Sequence, residues 1–427
     1  MDEITTITEQ LSVSADDWLN SHLSNFDPLV FESGAMKQIR RKAFIEMAMM
    51  VYIDERLGDQ NRHKGFRDLL VERANERHYY ELLLRNPSKL RFHGPALVYA
   101  HALNELQQPA TRALESAMGR DSAWAVERKP CALIDVSHLC KLAGRPDIAP
   151  KMRAVIEFGA QCNPPGIIES ELKTVYALTH DVLFWHHFGF EHPEYPSETT
   201  PGNADDRYRG LVLRYLAEEN YDIVLELVLC GVLQRALSPT TVRVVLKIVL
   251  DSTEEAGYVP GPDMDESGLI SAGVDEISEA EISDTAETEW RKNYHTNLVA
   301  TVAARIIDHH WERFLAETSR PTHNCTAREL EELGSVLKAF AKYDLKTGAS
   351  RLTDVADSRV AEAFPDVIAD TVAFLKDQRN QNGNYGYWTD ERLLFEASED
   401  RTGSFEADLV EPIAEECETA IQTFENR

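Results

Sequence analysis

The spacing of apolar residues constrains this chain more than any other feature, because nearly every apolar stretch follows the helical period. In Ala43-Phe44-Ile45-Glu46-Met47-Ala48-Met49-Met50-Val51-Tyr52-Ile53 the apolar face is wide. In Tyr221-Asp222-Ile223-Val224-Leu225-Glu226-Leu227-Val228-Leu229-Cys230 the polar residues keep to one stripe. Such helices are covered on most sides. Ser238-Pro239-Thr240-Thr241 supplies an N-cap and a first-turn proline for a helix through Val242, Val245 and Ile248. That cap assigns the run Val244 to Leu250 to a helix rather than a buried strand. Gly144 before Arg145-Pro146, and Gly189 before Pro193, mark helix ends. No segment alternates in the way a sheet requires, so the fold class expected is all-α. With 427 residues, 43% of them apolar, the chain can bury one large core or two ordinary ones.

Charge narrows the functional classes. Forty-four Lys and Arg stand against 72 Asp and Glu, a net charge of −28, which repels phosphate and disfavours nucleic acid and anionic membrane surfaces as partners. The basic cluster Lys37-Gln38-Ile39-Arg40-Arg41-Lys42 is short, opens an apolar helix and reads as a helix face. Only 14 of the basic residues are Lys, and so acidic a surface suits high salt, where screening tolerates self-repulsion; a halophilic protein is expected. Six widely spaced cysteines, without a CxxC pair, and an acidic start without signal-peptide features point to a reducing cytoplasm. No apolar run reaches the length of a membrane span.

Two segments interrupt the helical pattern: a loop at 192–206 rich in proline, and a longer acidic stretch at 254–288, read as an ordered insertion or a lid. Residues 1–398 are expected to form one domain. The acidic tail 399–427 carries Leu409, Ile413, Cys417 and Ile421 at four-residue spacing, which suits one peripheral helix. Across the main part a pattern recurs, in which a polar or soft side chain sits within an apolar helix: His101, His138, His180, Cys230 and His295. The first three intervals, 37, 42 and 50 residues, each match about one helical hairpin. Recurrence of that size suggests a helical-hairpin repeat or an α/α toroid, whose inner helices surround a cavity.

The segment Gln378-Arg379-Asn380-Gln381-Asn382-Gly383-Asn384-Tyr385-Gly386-Tyr387-Trp388, following the apolar helix Val367 to Leu375, resembles the repeat motif of α/α-toroid enzymes such as terpenoid cyclases and prenyltransferase β subunits. Together with Trp18, Asn25-Phe26-Asp27-Pro28 and Tyr176-Ala177-Leu178-Thr179-His180-Asp181, it also resembles an uncharacterised all-helical family of actinobacteria and haloarchaea. The toroid resemblance implies a central-cavity enzyme. Two departures limit it: the Asp-x-Asp-Asp acid of terpenoid cyclases is missing from any helix end, and the Cys-His-Gly of the zinc-dependent lanthionine cyclases does not occur.

The candidate chemistry lies on the polar stripes. Cys131, Asp135 and His138 share one helical face, and an aspartate beside an imidazole orients the ring and raises its basicity. Tyr176, His180 and His187 form a second stripe. Convergence of His138, His180 and His295 from three inner helices would make a metal site suited to a transition metal such as zinc, with Cys230 as a soft fourth ligand. Without a metal, His180 would act as acid or base, Tyr176 as a donor and Asp135 as the orienting carboxylate, with His101, Cys230, His187 and Trp185 lining the cavity and Trp290 helping to wall it. The function expected is an enzyme that tailors a small molecule or peptide; the alternative is a non-catalytic helical-repeat scaffold or binding protein. No phosphate loop, GxSxG elbow or Rossmann fingerprint is present.

Overall fold

The computed structural model describes residues 3–30, 35–163, 166–193, 204–262, 285–318, 325–380, 383–386 and 407–426. Among these residues there are nineteen α-helices, and the sole β pairing is an isolated bridge between Arg379 and Tyr385. In chain order the first are α1 (Glu3–Ser21), α2 (Ala35–Arg56), α3 (Lys64–Ala74), α4 (Arg77–Arg85), α5 (Leu90–His93), α6 (Pro95–Ala102) and α7 (Gln108–Met118). There follow α8 (Pro130–Leu142), α9 (Met152–Ile156), α10 (Leu172–Trp185), α11 (Ala204–Ala217), α12 (Tyr221–Gln234) and α13 (Pro239–Ala256). The last are α14 (Thr285–Glu317), α15 (Ala327–Ala341), α16 (Leu345–Val355), α17 (Arg359–Ala363), α18 (Pro365–Asp377) and α19 (Ala407–Glu425). The chain is therefore all-helical, as the periodicity predicts.

Local chemistry explains several boundaries. Ser238 caps α13 by accepting from the Thr241 amide at 3.1 Å, with Pro239 at the first helical position. Val244 to Leu250 is accordingly helix. Thr326 and Glu329 form a reciprocal capping box on α15. Gly257 takes a left-handed conformation (φ 78°) and stops α13. The sequence places the acidic insertion at 254–288, but helix continues through Ala256 and the backbone that follows is strapped to α14. Asn297 accepts from the Val259 amide at 3.1 Å, and Asn293 accepts from the Gly261 amide at 2.7 Å. Residues 263–284 lie outside the described residues, as do 194–203 of the loop expected at 192–206. The tail forms α19, whose Cys417 and Ile421 are buried where the helix packs on α16 and α18. After α18 the Gly386 amide donates to the Gln378 carbonyl at 2.8 Å, while 381, 382, 387 and 388 of that segment lie outside the described residues.

Six helices pack in a circuit: α2 on α6, α6 on α8, α8 on α10, α10 on α12, α12 on α14, and α14 back on α2. Other helices back this layer, and α16 to α19 pack on those outer helices. Helix α1 packs on α14 and α13, α3 on α2 and α6, α9 on α8, and α11 on α12 and α15. Every residue of α12 from Asp222 to Leu233 is buried, which accounts for a sequence apolar on nearly all sides. Helix α14 has 33 residues, a rod of roughly 50 Å at 1.5 Å per residue.

A buried ionic network ties α14 to the N-terminal helices. His63 places Nδ1 2.6 Å from Asp54 Oδ2 and Nε2 2.9 Å from Asp16 Oδ1. Thr301 of α14 donates to Asp16 Oδ1 at 2.7 Å, and Arg305 of α14 pairs with Asp54. Replacing His63 by Leu would leave two carboxylates facing an apolar side chain, and His63→Leu is expected to cost about 3 kcal/mol in urea unfolding. His63→Gln, which retains hydrogen-bonding capacity, should cost less.

Candidate functional site

The circuit borders an open cavity of about 1710 Å³, which α5, α11 and α15 also help to line. In each of its six helices the lining residues begin within the first two turns: Gln38 in α2, Pro95 in α6, Cys131 in α8, Leu172 in α10, Asp222 in α12 and Arg291 in α14. The lining then runs on along the helices, to Met49 in α2, Phe184 in α10 and Val302 in α14. Eleven Lys and Arg line the cavity, Arg41, Lys42, Arg91, Arg291 and Lys292 among them, against seven Asp and Glu. The cluster at Lys37 to Lys42 is therefore more than a solvated helix face, since Arg41 and Lys42 turn into the chamber.

The acids that line it are concentrated where α12 meets α10, α14 and α2. Asp222 and Glu226, one helical turn apart on α12, are both buried. Tyr176 donates its hydroxyl proton to Asp222 Oδ2, and Thr179 donates to Glu226 Oε2, so each carboxylate has one oxygen held by α10. The other oxygens face His295 of α14, whose Nε2 lies 3.5 Å from Asp222 Oδ1 and 3.8 Å from Glu226 Oε1. On its other side, His295 Nδ1 is 3.3 Å from Glu46 Oε2 of α2. Donor atoms of Asp222, Glu226 and His295 all lie within 4.8 Å of one another, which makes this trio the set among the described residues able to hold a metal ion.

Protonation follows the geometry. Burial opposes ionisation of Glu46, but Lys42 and His295 outweigh it and bring its carboxyl down to about 2. Burial likewise opposes charge on His295, and Asp222 with Glu46 raises the imidazole to about 9. Glu226 is pushed above the usual carboxylate range by burial, with Asp222 adding to the effect. The cluster therefore pairs carboxylates of opposite tendency, a pattern characteristic of acid and base pairs. Beside it stands a second pair. Asp135 of α8 accepts from Arg91 Nε at 2.7 Å and lies 3.8 Å from His180 Nδ1 of α10.

Of the residues singled out in the sequence, Asp135, Tyr176, His180 and His295 all line the chamber. The imidazole set His138, His180 and His295 is not brought together. His138 is fully buried at the far end of α8, where its Nδ1 lies 3.0 Å from His187 Nδ1 and its ring packs on Phe184 and Phe188. Both rings are depressed by burial, His187 to about 4. Cys230 is fully buried and directs its thiol to the Thr179 carbonyl, Trp185 packs with Ile134 and Ile156 in a satellite core, and His101 sits in the last turn of α6. None of these four, nor His187, lines the cavity. Trp290 stacks on Tyr294 within the core rather than walling the chamber. The reason is angular: Leu139, Phe184 and Leu229 line the chamber beside His138, Trp185 and Cys230, which face away from it around their helices. Glu46, Asp222 and Glu226 were the residues missed. Their signal was present, since they are charged residues within helices otherwise apolar on almost every side.

The family comparison now has a structural frame. A family described as a domain of unknown function (DUF6895) matches residues 12–305, well over half of the chain. The chain belongs to the DUF6895 family. The DUF6895 match contains all six helices of the circuit up to the middle of α14, and every chamber-lining residue except Lys338 and Lys342. No curated protein and no solved structure matches the chain. Among the described residues no helix is long and apolar enough to cross a membrane, and the six cysteines are free thiols.

Asp181 tests the electrostatics of α10 on the face away from the cluster. It is fully buried, it accepts from the Gln161 amide at 3.2 Å, and burial raises its carboxyl to about 7. Its folded-state value thus exceeds the ordinary 3.8, so the folded chain retains a proton that the unfolded chain has released. Stability should therefore fall as pH rises from about 4 through about 7. Thermal unfolding of Asp181→Asn across that range is expected to show a flatter pH dependence than the wild-type chain.

Proposed function

We propose that this chain is an enzyme that transfers protons to and from an anionic small molecule or peptide held in the chamber, and that the six-helix circuit is the inner layer of an α/α toroid. The observation that carries this reading is the convergence of Glu46, Asp135, His180, Asp222, Glu226 and His295, from five helices, on one large cavity. Burying several ionisable groups costs stability, and a structural core of this composition needs none of them; perturbed acids and bases lining a cleft are the pattern of catalytic sites. In this reading Glu226, kept protonated by burial, is the acid. His180, oriented by Asp135, exchanges the second proton, and Tyr176 fixes Asp222. Basic groups that line the chamber, Arg41 and Lys292 foremost, bind the anionic end of the substrate. The free thiols support a reducing, cytoplasmic setting.

The test can be run before the substrate is identified. The purified chain is incubated with a deproteinised small-molecule extract of its source organism, and the mixture is followed by untargeted mass spectrometry. Time-dependent depletion of anionic masses is expected, slowed about 10²-fold or more by Glu226→Gln. Stoichiometric retention of unconverted molecules, equal in both proteins, would establish a binding protein instead. Once a converted mass is in hand, Lys292→Glu is expected to raise KM with kcat little changed, because it removes an interaction common to substrate and transition state.

A further inference from the structure

We infer that Asp222, Glu226 and His295 form a binding site for one divalent first-row metal ion of the Mn²⁺ or Zn²⁺ class. The inference deepens the reading of the chamber as a catalytic site and rests on it; an ion there takes Glu226 as the carboxylate and His295 as the neutral imidazole, so with the ion bound Glu226 is a ligand and proton exchange is left to His180 with Asp135. Three observations point to an ion rather than to simple ion pairing. First, the separations are too long for hydrogen bonds: His295 Nε2 stands 3.5 and 3.8 Å from the facing carboxylate oxygens, beyond the range in which an N–H would engage either. Secondly, Asp222 Oδ1 is buried and accepts no hydrogen bond, although its side chain is only 4% exposed. An orphaned, buried carboxylate oxygen is costly unless a ligand takes it up. Thirdly, the atoms not aimed at the shared point have hydrogen-bond or ion-pair partners. Tyr176 holds Asp222 Oδ2, Thr179 holds Glu226 Oε2, and Glu46 faces His295 Nδ1 at 3.3 Å. Hydroxyls holding the far oxygen of each carboxylate, with a carboxylate 3.3 Å from the far imidazole nitrogen, are the kind of outer shell that metal sites use to orient their ligands.

Two carboxylates and one imidazole make a mixed hard and borderline donor set, suited to Mn²⁺, Fe²⁺ or Zn²⁺ rather than to copper(I) or an iron–sulfur cluster. Three protein ligands leave coordination positions open towards the cavity for water or an anionic substrate oxygen. An ion there would add positive charge to that of the Lys and Arg lining the chamber and so favour the same class of substrate.

The chelator-treated full-length chain is titrated with MnCl₂ and, separately, with ZnCl₂, and bound metal is measured by equilibrium dialysis and elemental mass spectrometry; Mn²⁺ is also followed by electron paramagnetic resonance. One equivalent is expected, accompanied by a rise in unfolding temperature. Tyr176→Phe is expected to weaken binding by about 10-fold or more, and the Asp222→Asn/His295→Gln double variant to abolish it, with helicity checked by circular dichroism. Less than about 0.2 equivalents on the folded wild-type chain would overturn the inference, as would undiminished binding in the folded double variant. Wild-type stoichiometry is decisive even if that variant fails to fold. Conversion of extract components unaffected by chelator, with no ion bound, would remove the metal and leave the proton-transfer reading standing. Metal binding without any conversion would do the reverse.

Discussion

Closure of the helical circuit depends on α14, which must pack on α12, α2 and α1 at once. An apolar rod could slide or rotate against three neighbours, since dispersion contacts carry little directional information. The buried polar pairs along this helix remove that freedom. Asn293 and Asn297 take backbone groups of the segment after α13, while Thr301 and Arg305 engage Asp16 and Asp54 of α1 and α2. These groups lie at four-residue intervals along α14, so they fix both its rotation and its height. His295 sits in the same span of the helix, and its position opposite Asp222 and Glu226 follows from that register.

The charge distribution then acquires an order that the net value conceals. A chain of −28 would repel an anion from most directions, yet the chamber is lined by an excess of Lys and Arg over Asp and Glu. Focusing of this kind inside low-dielectric walls is stronger than the same charges would give on an open surface. Within the chamber the sign changes again at the carboxylate cluster. An anionic ligand would accordingly be held by its charged end near the basic groups, leaving a less charged portion at Glu226 and His180.

Much of the fold was legible because helical period, caps and stops are local signals. Ser238 and the tail spacing of Cys417 and Ile421 act on their own segments, and the structure places helices there. The candidate site was legible by halves. Asp135, Tyr176, His180 and His295 line the chamber, whereas His138 and Cys230 were chosen by the same criterion and lie in the core. The criterion, a polar residue in an apolar helix, carries no information about what that face of the helix meets. Direction around the helix decides the matter here: Leu139 and Leu229 line the chamber, whereas His138 and Cys230, one residue away, turn into the core. Which helix neighbours which is likewise a long-range property, and the pairing of Glu46 with His295 joins residues that no local pattern connects.

The identity of the missed residues has its own physical logic. A histidine in an apolar helix attracts notice because its chemistry is versatile, but it can be buried neutral at modest cost, as His138 and His187 are, each facing the other. A carboxylate has a harsher alternative. When buried it must either keep its proton, as the environment of Glu226 favours, or be stabilised by surrounding donors and charges, as Glu46 is by Lys42 and His295. Two carboxylates one turn apart on a helix buried on every side, Asp222 and Glu226, therefore make a more stringent demand on the rest of the fold than any single imidazole. That demand is met from three directions: by hydroxyls of α10, by an imidazole of α14 and by space in the chamber. A chain folding for stability alone would meet it more cheaply with two leucines.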